Sequence, residues 1–345
     1  MNKSILVTWG LGYIGSHTCS VLGQKGDDLI IVDNLSNSEI PVLDKLEKII
    51  GKKPLFYQTD LRDFEAVEKI FQNHEIEGVI HFAGLKAVGE SCEYPFLYYE
   101  NNIQASLHLF QIMEKYQVKN LVFSSSATVY DATKNLPPFS EMDAVGTTNP
   151  YGTTKLVLEE ILKDLASFKG FYVMNLRYFN PIGAHESGLI GENPQGIPNN
   201  LLPYIFKVAQ GEQEYLKIFG DDYETPDGTG VRDYIHVMDV AEAHLVAYEW
   251  LKKKKSLNVH QEQLWTWMFE IFNLGTGIGT SVKEMLEMVQ MVTGKEIPSQ
   301  IVARRSGDIA VSLANPQKAK QILWWEAKRT VLQAIKDAWN FIQTK

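Results

Sequence analysis

Thr8-Trp-Gly-Leu-Gly-Tyr-Ile-Gly15 follows the apolar segment Ile5-Leu-Val7 and leads into a stretch of helical character. Gly10, Gly12 and Gly15 satisfy the spacing G-x-G-x-x-G. Glycines so placed let a chain turn tightly after a strand, approach a pyrophosphate and pack a helix on a sheet. Tyr13, Ile14 and Gly15 open the helix, where backbone amides attract an anion. The spacing alone is weak evidence, because glycines are common in loops. Its order in the chain makes it specific. A second apolar run, Leu29-Ile-Ile-Val32, ends on Asp33, where an acid accepts hydrogen bonds from adenosine ribose hydroxyls. An acid there also repels a 2′-phosphate, so the expected cofactor is NAD rather than NADP.

Outward from this loop, the N-terminal half alternates short apolar runs with helical patterns. Gly78-Val-Ile-His81 and Asn120-Leu-Val-Phe123 read as further buried strands, and residues 64–73 and 105–116 as helices. Strand–helix alternation predicts an α/β fold, a Rossmann-type doubly wound parallel sheet that binds ligands beyond the carboxyl ends of its strands. Residues 181–203 are rich in Gly, Pro and Asn, which suggests long loops over a binding face, and helical patterns return after Lys283. The expected division is a NAD-binding domain over residues 1–180 and a smaller C-terminal α/β substrate lobe over 181–345. Segments near 231–239 and 270–277 are expected to return to the first.

Composition excludes other classes. With 33 basic against 42 acidic residues the net charge is −9, which argues against nonspecific binding to nucleic acid or anionic membranes. No apolar run approaches the ~20 residues of a membrane span. The opening residues do not read as a signal peptide, and Cys19 and Cys92 make no disulfide framework. A cytoplasmic location is expected. No metal site is expected either.

Three Tyr-x-x-x-Lys pairs occur: Tyr130/Lys134, Tyr151/Lys155 and Tyr248/Lys252. Residues four apart share a helix face, so the ammonium can sit near the phenol and favour its ionised form. Context selects Tyr151/Lys155, because Asn149-Pro150 is a helix-start signal directly before it. Tyr130 reads as loop. Tyr248 precedes the lysine run 252–255, so surface packing explains it. Ser124-Ser-Ser126 follows the Asn120–Phe123 run, at the sheet edge where a nicotinamide would lie. A hydroxyl there can bind a substrate oxygen and relay its proton to Tyr151.

Six longer stretches make the chain resemble the UDP-galactose 4-epimerases, which belong to the extended short-chain dehydrogenase/reductases. They are Asp33-Asn-Leu-Ser-Asn-Ser38, His81-Phe-Ala-Gly-Leu-Lys-Ala-Val-Gly-Glu-Ser91, Ser124-Ser-Ser-Ala-Thr-Val-Tyr130, Arg177-Tyr-Phe-Asn-Pro-Ile-Gly-Ala184, Gln195-Gly-Ile-Pro-Asn-Asn200 and Gly228-Thr-Gly-Val-Arg-Asp-Tyr-Ile-His-Val237. The resemblance implies that Ser126, Tyr151 and Lys155 are catalytic. It places Asp33, Asn34, Asn37 and Ser38 around the adenosine ribose, and Asp60 and Leu61 near the adenine. Phe82, Ala83, Gly84, Lys86 and Asn101 are implied to line the cofactor, as are Ser124, Tyr178 and Phe179. On the sugar-nucleotide side it implies Lys86, Asn180, Asn200 and Leu201, with Lys217, Ile218 and Phe219 as the uracil-binding strand. Arg232 and Arg305 are implied to hold the diphosphate, which suits the bidentate guanidinium. Asp308 is implied to lie near the uridine ribose, and Ser312 near the sugar's C2 substituent, where a small side chain should admit an N-acetyl group. A homodimer acting on a UDP-hexose is the implied assembly and substrate.

Departures from the family bear on function. Trp9 stands where the family's phosphate loop has a glycine, and a bulky residue there is expected to weaken NAD binding, above all if the backbone needs a positive φ. Asp131 also replaces a family glycine. The stretch 252–269 is longer than its counterpart and holds Trp265, Trp267 and Phe269, read as local packing first and a protein contact second. A noncatalytic sugar-nucleotide-binding or regulatory descendant is the alternative to an active epimerase. A sugar-nucleotide 4,6-dehydratase ranks below both, since Ser126-Ala-Thr128 lacks the acid pair such enzymes place there.

Overall fold

A computed structural model describes residues 3–194, 196, 198, 200–256, 268–305 and 307–345, without the side chains of 254–256. The apolar runs become strands β1 (Ser4–Thr8), β2 (Asp28–Asp33), β3 (Leu55–Gln58), β4 (Ile76–His81), β5 (Asn120–Ser126) and β6 (Tyr172–Tyr178). Numbered in chain order, β7 (Asn180–Ile182), β8 (Leu216–Phe219) and β9 (Val231–His236) follow, and then β10 (Phe269–Leu274). The first six strands and β10 form a seven-stranded sheet in the order β10-β6-β5-β4-β1-β2-β3, and every pairing in it is parallel. The order reverses between β1 and β4, so a crevice opens there at the carboxyl ends of the strands. The glycine loop leaves β1 into that crevice.

Period-two alternation sends neighbouring residues of one strand to opposite faces. Ile5, Val7 and Ile31 enter one core, and Leu6, Ile30 and Val32 the other. Both faces are covered by helices, which is why the central strands read as unbroken apolar runs. The helix Val237–Ser256 packs against the helix Tyr13–Lys25 and against β5 and β6.

Smaller sheets lie beyond β6. Strands β11 (Gly279–Ser281), β9 and β13 (Val311–Ser312) are adjacent, β7 also pairs with β9, and β12 (Ser299–Val302) pairs with β8. A third core joins them to the helices Leu201–Ala209, Val282–Thr293 and Val331–Thr344. Asp233 knots this region together. Its buried carboxylate accepts from Thr276 N and Oγ1 at 2.8 and 2.7 Å, from Gly277 N at 2.8 Å and from Ala314 N at 3.1 Å.

Two expectations need amendment. Tyr248 is not a surface residue. It is 1% exposed, and a Cβ on Gly78 would come within 2.7 Å of its ring. The helix that carries it lies flat on the sheet, so only the next turn reaches water, where Lys252 pairs with Glu77 at 2.9 Å. Of the aromatic stretch, Trp265 and Trp267 lie outside the described residues, and Phe269 starts β10.

Candidate active site

The glycine loop is built by exclusion. A Cβ on Gly15 would lie 2.2 Å from the Trp9 carbonyl oxygen, and one on Gly10 2.9 Å from Ile31 Cγ2, so neither position tolerates a side chain. Gly12 caps the helix Tyr13–Lys25 without a side chain that could occupy its first-turn amides. That leaves the positive end of the helix for an anion. Trp9 has φ 51°, the left-handed conformation, with its amide bonded to Val32 O at 2.7 Å. The turn therefore demands what glycine supplies, and tryptophan fills it.

Around the loop, Asp33 is buried and accepts from Leu11 N (3.1 Å), Leu35 N (2.9 Å) and Ser38 Oγ (2.8 Å). Burial raises its pKa, while these donors oppose the rise. Asn34 donates to Asp60 at 3.0 Å, and Arg62 beside Asp60 holds that carboxyl well below the usual range. Leu61 is buried next to it and Asn37 is exposed. Thr8 Oγ1 accepts from the amides of Phe82 and Ala83, both at 3.1 Å. With its lone pairs so used, the hydroxyl proton is directed to His81 Nδ1 at 2.9 Å. Burial keeps that imidazole neutral, its pKa lowered to about 3.

Asn149 accepts from Gly152 N at 2.9 Å and Pro150 fits the first turn, so the helix Pro150–Lys169 begins where the sequence signals it. Tyr151 and Lys155 lie on its buried face. Lys155 Nζ donates to Ser124 O at 2.7 Å, and burial lowers its pKa to about 8, against which Glu159 pulls upward. Ser126 Oγ accepts from Thr128 N and Oγ1 at 3.2 and 3.0 Å, which leaves its own proton for another acceptor. Burial raises the Tyr151 pKa and hydrogen bonding to Ser126 lowers it. Serine, tyrosine and lysine thus meet at the carboxyl edge of β5. Tyr178, at the end of β6, is also buried, with its hydroxyl 3.3 Å from His244 Nε2, and Phe179 is buried beside it in the chain.

Asn102 is a contributor that sequence reasoning passed over. It accepts from Leu85 N (2.7 Å) and donates to Leu85 O and Thr154 Oγ1 (both 3.0 Å), binding the Gly84–Lys86 loop to the tyrosine helix. A Cβ on Gly84 would stand 3.3 Å from it. Asn101, the residue singled out in the sequence, is only partly buried and donates to Leu97 O at 3.2 Å. The π-helical turn Tyr99–Gln104 sets which of the two asparagines faces inward. The doubled asparagine was the available signal.

The residues implied on the sugar-nucleotide side lie mostly on the smaller sheets. Asn180 donates to Asp233 O at 3.0 Å. In β8, Ile218 is buried and Lys217 exposed, and the Arg305 guanidinium lies 4.6 Å from the centre of the Phe219 ring. Arg305 pairs with Asp308 at 2.9 Å, and Arg232 bonds Val231 O at 2.9 Å. Both arginine charges act on the Tyr234 phenol, whose pKa burial still pushes up to about 12. Ser312 stands opposite Arg232 in the register of β13 and β9. Asn200 sits at the start of the helix Leu201–Ala209 without a side-chain cap, its side-chain amide donating to Glu192 at 2.8 Å, and Gln195, Ile197 and Asn199 before it lie outside the described residues. No cluster of metal-ligating side chains occurs among the described residues.

Residues 5–260 match the NAD dependent epimerase/dehydratase family. This chain belongs to that family. A UDP-glucose 4-epimerase of Bacillus subtilis (strain 168) is 52% identical to it over 339 residues, 98% of this chain and 96% of the relative. Among solved structures, a UDP-glucose-4-epimerase of Stenotrophomonas maltophila with bound NAD and formylated UDP-arabinopyranose superposes with a TM-score of 0.93. It is 44% identical, with 99% of this chain and 98% of that one covered. One from Bifidobacterium longum in complex with NAD+ and UDP gives a TM-score of 0.90 at 44% identity, with 99% of each chain covered.

Proposed function

We infer that this chain is an NAD-dependent UDP-glucose 4-epimerase that interconverts UDP-galactose and UDP-glucose. The observation that carries this is the convergence of Ser126, Tyr151 and Lys155 on the edge of β5, in a chain half identical over its length to enzymes of that name. The cradle fits the cofactor. Gly10 and Gly15 leave no room for side chains, Gly12 leaves helix amides for the pyrophosphate, and Asp33 faces the loop as an acceptor. A noncatalytic descendant is the weaker reading, since a pure binder has no need of that trio.

When bound, NAD supplies a hydride acceptor that later returns the hydride to C4. Tyr151, as phenolate, takes the proton of the 4-hydroxyl while the hydride leaves C4. Lys155 keeps its charge at neutral pH and favours the phenolate. Ser126, its lone pairs taken by Thr128, donates toward Tyr151 or the substrate oxygen. Tyr151 would hold the 4-hydroxyl proton while the 4-keto sugar turns over, and would give it back to the same oxygen when C4 is reduced on its other face. Arg232 and Arg305 anchor the diphosphate meanwhile, with Asp308 and the strand Lys217–Phe219 on the uridine. Small Ser312 leaves space at C2, so UDP-N-acetylglucosamine is a second substrate. Residues 1–180 act as the cofactor domain and 181–345 as the substrate lobe. The protein works in the cytoplasm, and among its described residues no helix is long and apolar enough to cross a membrane.

The test is turnover of UDP-galactose and of UDP-N-acetylgalactosamine by purified protein, with and without added NAD. Activity lost about 10²–10⁴-fold in Tyr151→Phe supports the assignment. No turnover by folded protein under either condition refutes it, and galactose turnover without N-acetyl turnover refutes the role of Ser312 alone.

A further inference from the structure

The turn 184–191 is closed by a bridge between Ala184 and Gly191 and by His185 N bonded to Ile190 O at 3.1 Å. It is docked on the C-terminal helix. Thr344 Oγ1 donates to Gly188 O at 2.8 Å, and a Cβ on Gly191 would come 2.4 Å from the Phe341 ring. The next two residues reach back across the cleft. Glu192 Oε1 accepts from Lys86 Nζ at 3.3 Å and from Asn200 Nδ2 at 2.8 Å. Asn193 Nδ2 donates to Glu39 Oε1 at 3.3 Å, while its own Oδ1 accepts from Lys345 Nζ at 2.6 Å. The Glu192 side chain is 12% exposed, and its charge is felt by the Tyr13 phenol in the glycine loop.

One oxygen therefore joins the loop Gly84–Lys86, which follows β4, to the asparagine that opens the helix Leu201–Ala209. We propose that Glu192 is a positioning residue for the sugar nucleotide, fixing Lys86 and Asn200 at the distance the substrate needs. This rests on the epimerase reading, in which those two side chains contact substrate. A carboxylate beside an anionic substrate is electrostatically unfavourable. Its presence is explained by what it holds: one oxygen accepts from both Lys86 and Asn200 and keeps the ammonium from swinging into the cleft alone. Glu192 bonds Lys86 and Asn200 rather than the serine–tyrosine–lysine cluster, so it acts on binding rather than on proton transfer.

Both donors converge on a single oxygen, and this gives the inference a sharp test. Glutamine keeps a carbonyl oxygen of the same geometry and alanine keeps nothing. Steady-state kinetics with UDP-galactose on Glu192→Ala should show KM raised by about tenfold or more, the loss of a charge-assisted bond and a neutral one, with kcat changed by less than about threefold. Glu192→Gln should recover most of the loss. Bound NAD per chain and Tm should match wild type in both, which separates the effect from misfolding. Wild-type KM in Glu192→Ala, a fall in KM, or a loss confined to kcat overturns the positioning role. An equal loss in Glu192→Gln also overturns it, since charge rather than geometry would then decide. Absence of epimerisation in wild type is a different failure, that of the epimerase reading itself.

Discussion

Trp9 concentrates a conflict within one residue. Its φ of 51° costs an L-residue about 1–2 kcal/mol, and the conformation holds because its indole packs against the cores on both faces of the sheet. Trp9 stands in the loop implied to hold the pyrophosphate, so its bulk is expected to weaken NAD binding. Trp9→Gly should lower the NAD dissociation constant about tenfold and raise the NAD retained per chain after gel filtration, read by calorimetry and by absorbance of the released nucleotide. Equal retention in both proteins would show that the indole lies clear of the cofactor. Lys155 offers a second test. Its pKa falls from 10.5 to about 8 on burial, so the unfolded chain binds more protons between those values. The folded state thus carries a penalty that is complete below pH 8 and relieved as pH rises toward 10.5. Lys155→Met, free of that penalty but lacking the bond to Ser124 O, should stabilise the cofactor-free protein by about 1–3 kcal/mol at pH 7. The gain should vanish near pH 10.5, as urea denaturation at several pH values would show. A gain that is independent of pH would rule out the charge as its cause.

At the scale of elements, the helix Pro150–Lys169 carries Tyr151 and Lys155, and its start was legible in Asn149-Pro150. How it is held was not. Glu159, two turns after Tyr151, is buried and forms an ion pair with Arg177 of β6 while also accepting from Ser125 of β5. Paired burial of this kind is costly to break from one side. Glu159→Ala should lose about 3–5 kcal/mol of unfolding free energy in urea, because it strands a buried guanidinium. Glu159→Ala with Arg177→Met should recover part of that loss, and no recovery would mean the pair is not coupled. Nothing in the sequence singled out Glu159, since an acid at helical spacing usually faces solvent. The apolar runs behaved differently. All four that read as strands lie in the sheet, because both faces are covered and no alternation was needed to recognise them.

For the whole molecule, the helices from Val88 to Lys115 and the helix Pro150–Lys169 lie side by side, joined by Lys169 and Glu114 at 2.9 Å. They leave Phe96 at 80% and Phe168 at 79% exposure, with Tyr94 and Val157 also uncovered. Rings this exposed on adjacent helices suit a two-fold interface. We expect a dimer by light scattering, converted to monomer by Phe96→Glu with Phe168→Glu. A monomeric wild type would refute it. The sequence by itself determined the parallel sheet, the cofactor crevice and the tyrosine–lysine helix, because those are written in local periodicity, caps and glycine spacing. It also flagged Trp9. Only the tertiary structure decided that Tyr248 is core, that Asn102 faces inward beside Asn101, and that Glu192 spans the cleft. Each of these depends on which distant segment a side chain meets, and a one-dimensional pattern does not carry that distance.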